Sequence, residues 1–345
     1  MYTYITIFLF TIIGHFLPLK LHKIFLGFMC LFLIVFIGFR MEIGGDWINY
    51  LVLHDAIRNY GTFWTAIILT EPGYGVINYL IGGENGIYFV NAICAVIFCT
   101  GLYFFCSRLK YPIFSLTILL PYTVFVVATG YTRQATALGI IMVAYNFFVR
   151  EKYKSFVLFG FLSLLFHKTG FIVLFLYPFK FVRKETIIKY VTIFFPIVIL
   201  VSILVLGKFS YLLDIYGDNA EVSSAGGIYR HIMNVVPAMI FIAYHNFFYK
   251  ESFSVYKLLW FLSVGSISLF FIGFMFSTLA DRFGLYFGVI QMIVYPIFLN
   301  KFVFKDRLLV LFLIVIFYLI FMIYWFSTSQ WADCCWKNYK NFLLN

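Results

Sequence analysis

Hydrophobic residues run along most of this chain without the polar interruptions that a soluble amphipathic helix or a half-buried strand would show. Roughly 20 apolar residues suffice to cross a membrane as a helix, and fewer suffice where a helix stops short of one surface. On that rule the runs predict helices over about 2–19, 24–39, 87–106, 112–128, 132–149, 154–166, 169–182, 187–206, 230–248, 256–277, 281–299 and 308–326. The runs are too long and too unbroken for the alternating strands of a membrane barrel. The fold class expected is therefore an all-α polytopic membrane protein with about twelve transmembrane helices. One integral membrane domain is expected over 1–345, with two external segments large enough to carry structure, 40–86 and 207–229.

Charge fixes the orientation of these helices. Short loops carrying Lys20 and Lys23; Arg108 and Lys110; Arg150, Lys152 and Lys154; Lys180, Arg183, Lys184 and Lys189; Lys250 and Lys257; and Lys301, Lys305 and Arg307 hold 16 of the 25 lysines and arginines. Such loops face the cytoplasm. The stretch from Ser155 to Phe181 could be one long span or two short helices turning at His167-Lys168-Thr169-Gly170. A single span would move the last three basic loops outside. A hairpin with His167 at its outer apex keeps all six on one side, and puts both termini outside. The segment from Tyr2 to Leu19 has no basic leader or small-residue cleavage site and reads as a retained span.

Composition agrees with this picture. The chain is 63% hydrophobic and 11% charged, which excludes a soluble domain of 345 residues. The net charge of +11 sits mostly in cytoplasmic loops and reports topology and contact with the lipid bilayer, not nucleic acid. The six cysteines show no metal-ligand spacing and read as small apolar residues; the adjacent Cys334 and Cys335 are not expected to bridge. No metal site and no cofactor motif is visible.

The chemistry-bearing residues lie at the outer ends of the helices. Arg40, Arg133, Arg230 and Arg282 each stand beside an apolar helix on the side away from the basic loops. An isolated cation there is costly unless an anion visits it. Thr132-Arg133-Gln134, Tyr229-Arg230-His231 and Asp281-Arg282 each open an inward-running helix, with Asp281 expected as a cap. A helix N-terminus offers free N–H groups to an anion, and a guanidinium adds a fork that suits phosphate oxygens. Snorkelling to lipid headgroups is the plainer alternative for any one of them.

The first external segment opens Arg40-Met41-Glu42-Ile43-Gly44-Gly45-Asp46-Trp47, in which two glycines permit a tight turn and Asp46 sits where a helix cap belongs. Asp46 and Tyr50 then share a helix face. An interfacial helix with Trp47 and Tyr50 in the aromatic belt explains part of this segment and leaves the charges unexplained. In Glu71-Pro72-Gly73-Tyr74, Pro72 suits a first helical position with Glu71 as cap, and Tyr74 and Asn78 share a face. Glu71 could equally be a cap or a functional carboxylate.

Gly44-Gly45-Asp46-Trp47-Ile48-Asn49-Tyr50, Glu71-Pro72-Gly73-Tyr74, Tyr131-Thr132-Arg133-Gln134 and Phe166-His167-Lys168-Thr169-Gly170, in this order, resemble the EpsG family of bacterial polysaccharide polymerases, related in role to the Wzy-type O-antigen polymerases. The resemblance spans residues 40 to about 180 and departs from the expected pattern after His167, where small residues would stand in place of Lys168 and Thr169. It implies a GT-C-like polymerase or ligase fold in the bacterial inner membrane with its active site facing the periplasm. It implies a metal-independent glycosyltransferase whose donor and acceptor are both undecaprenyl-diphosphate-linked oligosaccharides, and a chain-length regulator as a further partner. The diphosphate would be held by Arg133, Arg230 and Arg282 with help from Arg40. His167, then Asp46, then Glu71 would serve as base, and Tyr50, Tyr74, Trp47 and Asn78 would contact sugar. Two other classes stay open: a lipid-linked oligosaccharide flippase, which would want its cations midway across the bilayer, and an O-antigen ligase, which differs only in acceptor. A membrane O-acyltransferase would need its histidine on the cytoplasmic side.

Overall fold

The computed structural model describes residues 1–183, 186–187, 190, 226–274 and 276–344. The protein is an almost wholly helical polytopic membrane protein. Among the described residues, four helices are long and apolar enough to cross a membrane: Leu19–Gly38, Gly86–Cys106, Phe253–Ile272 and Phe304–Thr328. A fifth span results if Ser277–Phe287 and Val289–Lys301, bent by 48°, are one crossing. Shorter apolar helices cover Tyr2–Gly14, Pro112–Ala128, Tyr153–Leu164 and Gly227–Ala243. Most of the expected 187–206 span, and Asp214, Asp218 and Glu221 of the expected 207–229 segment, lie outside the described residues.

The chain forms two compact units interleaved in sequence. The first comprises 1–143, 161–168 and 299–345. It contains α1 (Tyr2–Gly14), α2 (His22–Gly38), β1 (Arg40–Met41), α3 (Trp47–Tyr60), α4 (Phe63–Leu69), α5 (Pro72–Leu80), α6 (Gly86–Cys106) and α7 (Pro112–Leu119). α7 continues as a π-helix over Leu120–Ala128, where Pro121 cannot donate to a regular ladder, and the chain then enters α8 (Thr132–Val149). The second unit comprises 144–160 and 169–298. Its elements are the greater part of α9 (Tyr153–Leu164), a 3-10 helix over Lys168–Phe181, α10 (Gly227–Ala243), α11 (Phe253–Ile272), α12 (Ser277–Phe287) and α13 (Val289–Phe298). α14 (Phe304–Thr328), α15 (Gln330–Cys335) and β2 (Lys340–Asn341) return to the first unit.

The expected helical hairpin forms, with its second arm a 3-10 helix instead of an α-helix. Leu174 and Val173 pack against Gly160, so the arms run back along each other. Pro178 lies inside the second arm and denies it a backbone donor.

Within each unit, pairs of basic loops meet at one pole. In the first, Arg307 donates to the Leu299 and Phe302 carbonyls and to the Tyr111 hydroxyl, and Tyr111 donates to Asn300. In the second, Lys257 Nζ donates to the Lys180 carbonyl at 3.1 Å and Ser254 donates to Glu151. The opposite pole of the first unit gathers both chain ends. The Met1 ammonium donates to the Lys337 carbonyl at 2.7 Å, and β1 pairs antiparallel with β2, Arg40 opposite Asn341.

Two expectations fail here. Cys334 and Cys335 are joined as a vicinal disulfide, with the remaining four cysteines free and buried. The bridge closes at the last residue of α15, between neighbours in sequence. Asp281 does not cap a helix: α12 begins four residues earlier, at Ser277.

Candidate functional site

The segment from Arg40 to Leu80 folds as a short strand and three helices, with α4 running back along α5 so that Phe63 meets Tyr79. Gly44 adopts φ +104°, the left-handed conformation its motif anticipates, and its N–H donates to the Cys335 carbonyl at 2.9 Å. Asp46 takes the cap position of α3 without a side-chain capping bond. Glu71 does the same at α5, with Pro72 as first helical residue.

Freed from capping, the Glu71 carboxylate turns to Arg133, the second residue of α8. Arg133 Nη1 donates to Glu71 Oε2 at 2.7 Å and to Thr70 Oγ1 at 3.1 Å. Thr70 also donates to the Glu71 carboxylate. The Arg133 guanidinium lies 5.7 Å from the centre of the Tyr50 ring. Its Nε is buried and has no hydrogen-bond partner among the described residues. Arg133 also hydrogen-bonds the Tyr50 side chain, so Nε is a donor that the fold leaves unsatisfied.

The hairpin apex comes to the same place. Gly73 N–H donates to the Leu165 carbonyl at 2.7 Å, seating the turn against the start of α5. His167 thereby enters the electrostatic neighbourhood of Glu71. Burial pushes the Glu71 carboxyl up, but Arg133, a backbone hydrogen bond and His167 outweigh it and hold it below its ordinary range. The Tyr50 hydroxyl is pushed up by burial and by the charge of Asp46, against the opposing pull of Arg133. Asp46, Tyr50, Glu71, Arg133 and His167 thus share one field in the first unit.

Arg40 lies beneath them and is only 1% exposed. Its Nη1 donates to the Ile37 carbonyl at 2.7 Å and its Nη2 to Thr132 Oγ1 at 2.6 Å; Thr132 in turn donates to Asn91. Among the described residues, no carboxylate lies within ion-pair distance of it; Glu42 pairs instead with Lys340 on the surface. A buried cation without a counter-ion is expensive, so Arg40 holds the first residue of α8 and adds positive potential beneath Arg133.

Residues expected to touch sugar are buried: Trp47, Tyr50, Tyr74 and Asn78 all face inward. Asn78 is committed at both ends, its Nδ2 donating to the Tyr74 carbonyl and its Oδ1 meeting His54 Nδ1 at 3.0 Å. His54, which no motif singles out, bridges from there to the Gly83 carbonyl. α4 turns apolar residues outward, Trp64 and Ile68 among them, and α3 exposes Ile48 and Val52 beside the polar Asn49, Asp55 and Arg58.

Arg230 and Arg282 belong to the second unit. Arg230 makes a two-pronged pair with Asp281, Nε to Oδ1 at 2.7 Å and Nη2 to Oδ2 at 2.9 Å. Asp281 therefore serves as an arginine partner, while Arg282 is exposed. Gly226 is left-handed at the start of α10. Beside it, Asn234 donates to the Gly284 carbonyl and accepts from Gln291. Among the described residues, no group of three His, Cys, Asp or Glu is arranged to hold a metal ion.

The model of the EpsG family matches residues 23–341, nearly the whole chain. No curated protein and no solved structure matches it.

Proposed function

Because the chain belongs to the EpsG family of Wzy-type polysaccharide polymerases, we propose that it transfers a growing glycan from undecaprenyl diphosphate to a sugar hydroxyl of a second lipid-linked repeat unit. The reaction takes place at the periplasmic face of the bacterial inner membrane, in a GT-C-like bundle of about twelve helices. It needs no metal. The observation that supports this reading is the partly used Arg133 fork, held by Glu71 beside His167 and above the buried Arg40.

The chemistry follows from that arrangement. A diphosphate leaves readily, so what the protein supplies is stabilisation of the charge that develops on the departing oxygens. Arg133 does this with its unsatisfied Nε, and Arg40 strengthens the potential from below. Glu71 fixes the direction of the fork. Its carboxyl is held below the ordinary range, which makes it a weak base at neutral pH and a good permanent anion. His167 is then the better acceptor for the proton of the attacking hydroxyl, with Asp46 second. Arg230 and Arg282 are assigned to diphosphate recognition in the second unit. Tyr50, Tyr74, Trp47 and Asn78 shape the wall of the site.

The test is the surface-polysaccharide ladder of a strain lacking the gene. Collapse to a single repeat unit, restored by the wild-type chain and not by Arg133→Ala, is the expected result. Loss of the unit from the surface altogether would point to export or ligation, and an unchanged ladder would refute the assignment.

A further inference from the structure

Trp336 lies far from every motif of the site in sequence, yet it sits at the junction of two of them. It is 2% exposed and belongs to the first unit. Its Nε1 donates to Thr129 Oγ1 at 3.0 Å, three residues before α8 begins, and Thr129 is itself anchored to the Phe125 carbonyl at 2.6 Å. The benzo edge of the indole lies so close to Gly130 that any Cβ there would collide with it, Cζ2 first. Cη2, the next atom along that edge, is 3.8 Å from where a Cβ of Gly45 would be. Gly44 and Gly130 also approach directly: a Cβ on Gly44 would fall 2.6 Å from the Gly130 Cα.

Trp336 is itself held from behind. The Tyr4 hydroxyl donates to its carbonyl at 2.9 Å, and the preceding Cys335 carbonyl accepts from Gly44 N–H. A buried, doubly anchored ring between two glycine-bearing turns has little freedom, and close-packed interiors transmit such constraints.

We propose that Trp336 is a positioning residue of the site, its indole setting the spacing between the turn that carries Asp46 and the helix start that carries Arg133. Gly130 and Gly45 meet that ring, and Gly44 meets Gly130. The proposal rests on the polymerase reading for its functional consequence, and on packing alone for its structural one.

The test is a double-mutant cycle between Gly130→Ala and Trp336→Phe, with Trp336→Ala as a third variant. Each full-length chain is expressed in a strain lacking the gene, and polymer output is read from the ladder at matched protein level. Because a displacement of about 1 Å can cost on the order of 100-fold in rate, Gly130→Ala and Trp336→Ala are expected to cut extension by about tenfold or more. Trp336→Phe keeps an aromatic ring and is expected to stay within about threefold of wild type. Phenylalanine lacks the benzo edge that meets residue 130, so the double variant should extend better than Gly130→Ala alone, the non-additivity expected of groups in contact. Hydrogen–deuterium exchange on the purified chain in nanodiscs supplies a readout that needs no substrate. Trp336→Ala should raise exchange in peptides covering 42–50 and 128–136 and leave α6 as it was.

Additive losses in the cycle, or unchanged exchange in those two peptides, would overturn the proposal. If the alanine variant does not accumulate, the Gly130→Ala and Trp336→Phe pair still decides it. If deletion of the gene leaves the ladder intact, the polymerase reading falls, and exchange alone decides whether Trp336 positions the two segments.

Discussion

Arg133 is held on one side by Glu71 and Thr70 and keeps Nε free of any bond among the described residues. Removing it takes away charge and fork together, so Arg133→Ala should lower chain extension by at least about 100-fold, as loss of a transition-state donor does. Arg133→Lys keeps the charge and loses the planar fork, and should recover only a small part of that loss. Ladders at equal protein level decide this, and a lysine variant of normal length would mean that charge alone suffices. Glu71 gives a second prediction, with its sign fixed by the direction of its shift. A carboxyl held below its unfolded value contributes stability that is fully present above about pH 5 and is lost as pH falls through the depressed value. The thermal midpoint of the wild-type protein should therefore exceed that of Glu71→Gln at neutral pH, and the gap should close on acidification. A gap independent of pH would show that the carboxylate is not the paired species. Glu71 was legible in the sequence as a cap or a functional acid. Only the ion pair separates these, because a cap position fixes the backbone and not where the side chain turns.

At the scale of elements, charge parity foresaw the hairpin, since only a turn at His167 keeps the later basic loops on the same side as the earlier ones. Apolarity alone could not reveal that its second arm is a 3-10 helix, because the two helix types bury similar runs and differ in backbone pitch. Lys168 is exposed at the apex. A cysteine placed there, with the native cysteines replaced by serine, should react with a membrane-impermeant maleimide from outside the inner membrane; reaction only after permeabilisation would move the hairpin to the other side. For the helices between α2 and α6 the sequence left two readings of Trp47 and Tyr50 open, an aromatic belt or contact with sugar. Both side chains pack inward, while Ile48 at 71%, Trp64 at 68% and Ile68 at 79% exposure point away from the unit. The segment is tethered between α2 and α6, both long enough to cross the membrane, so its apolar face lies within reach of lipid. A nitroxide at position 68 in nanodiscs should be relaxed strongly by oxygen and weakly by a water-soluble nickel chelate. The reverse order would show that this face meets water or protein.

Across the whole molecule, the contacts that escaped the sequence share one property, which is distance along the chain. Trp336 meets Thr129, the Cys335 carbonyl meets Gly44, and His54 meets Asn78. No periodicity or motif links such residues; only the closed fold does. Alternation of charge is a global property too, but it is written in composition loop by loop, and so it could be read. Arg307 meets Tyr111 in the first unit and Lys257 meets Lys180 in the second, which brings pairs of basic loops together within each unit. At the other pole of the first unit, Met1 bonds to Lys337, and Arg40 pairs with Asn341. Those bonds hold Met1 beside Lys337. An even number of membrane crossings between the two is therefore the prediction, and the positive-inside rule applied to the basic loops predicts that both ends face outward. A β-lactamase fused after Asn345 should therefore confer resistance on single cells, and green fluorescent protein fused there should stay dark after Sec-dependent export. A fusion in the basic loop at Lys110 should give the opposite pair of signals. Fluorescence from the carboxy-terminal fusion would invert the whole arrangement and move Arg133, Glu71 and His167 to the cytoplasmic face, where a periplasmic polymerase could not use them.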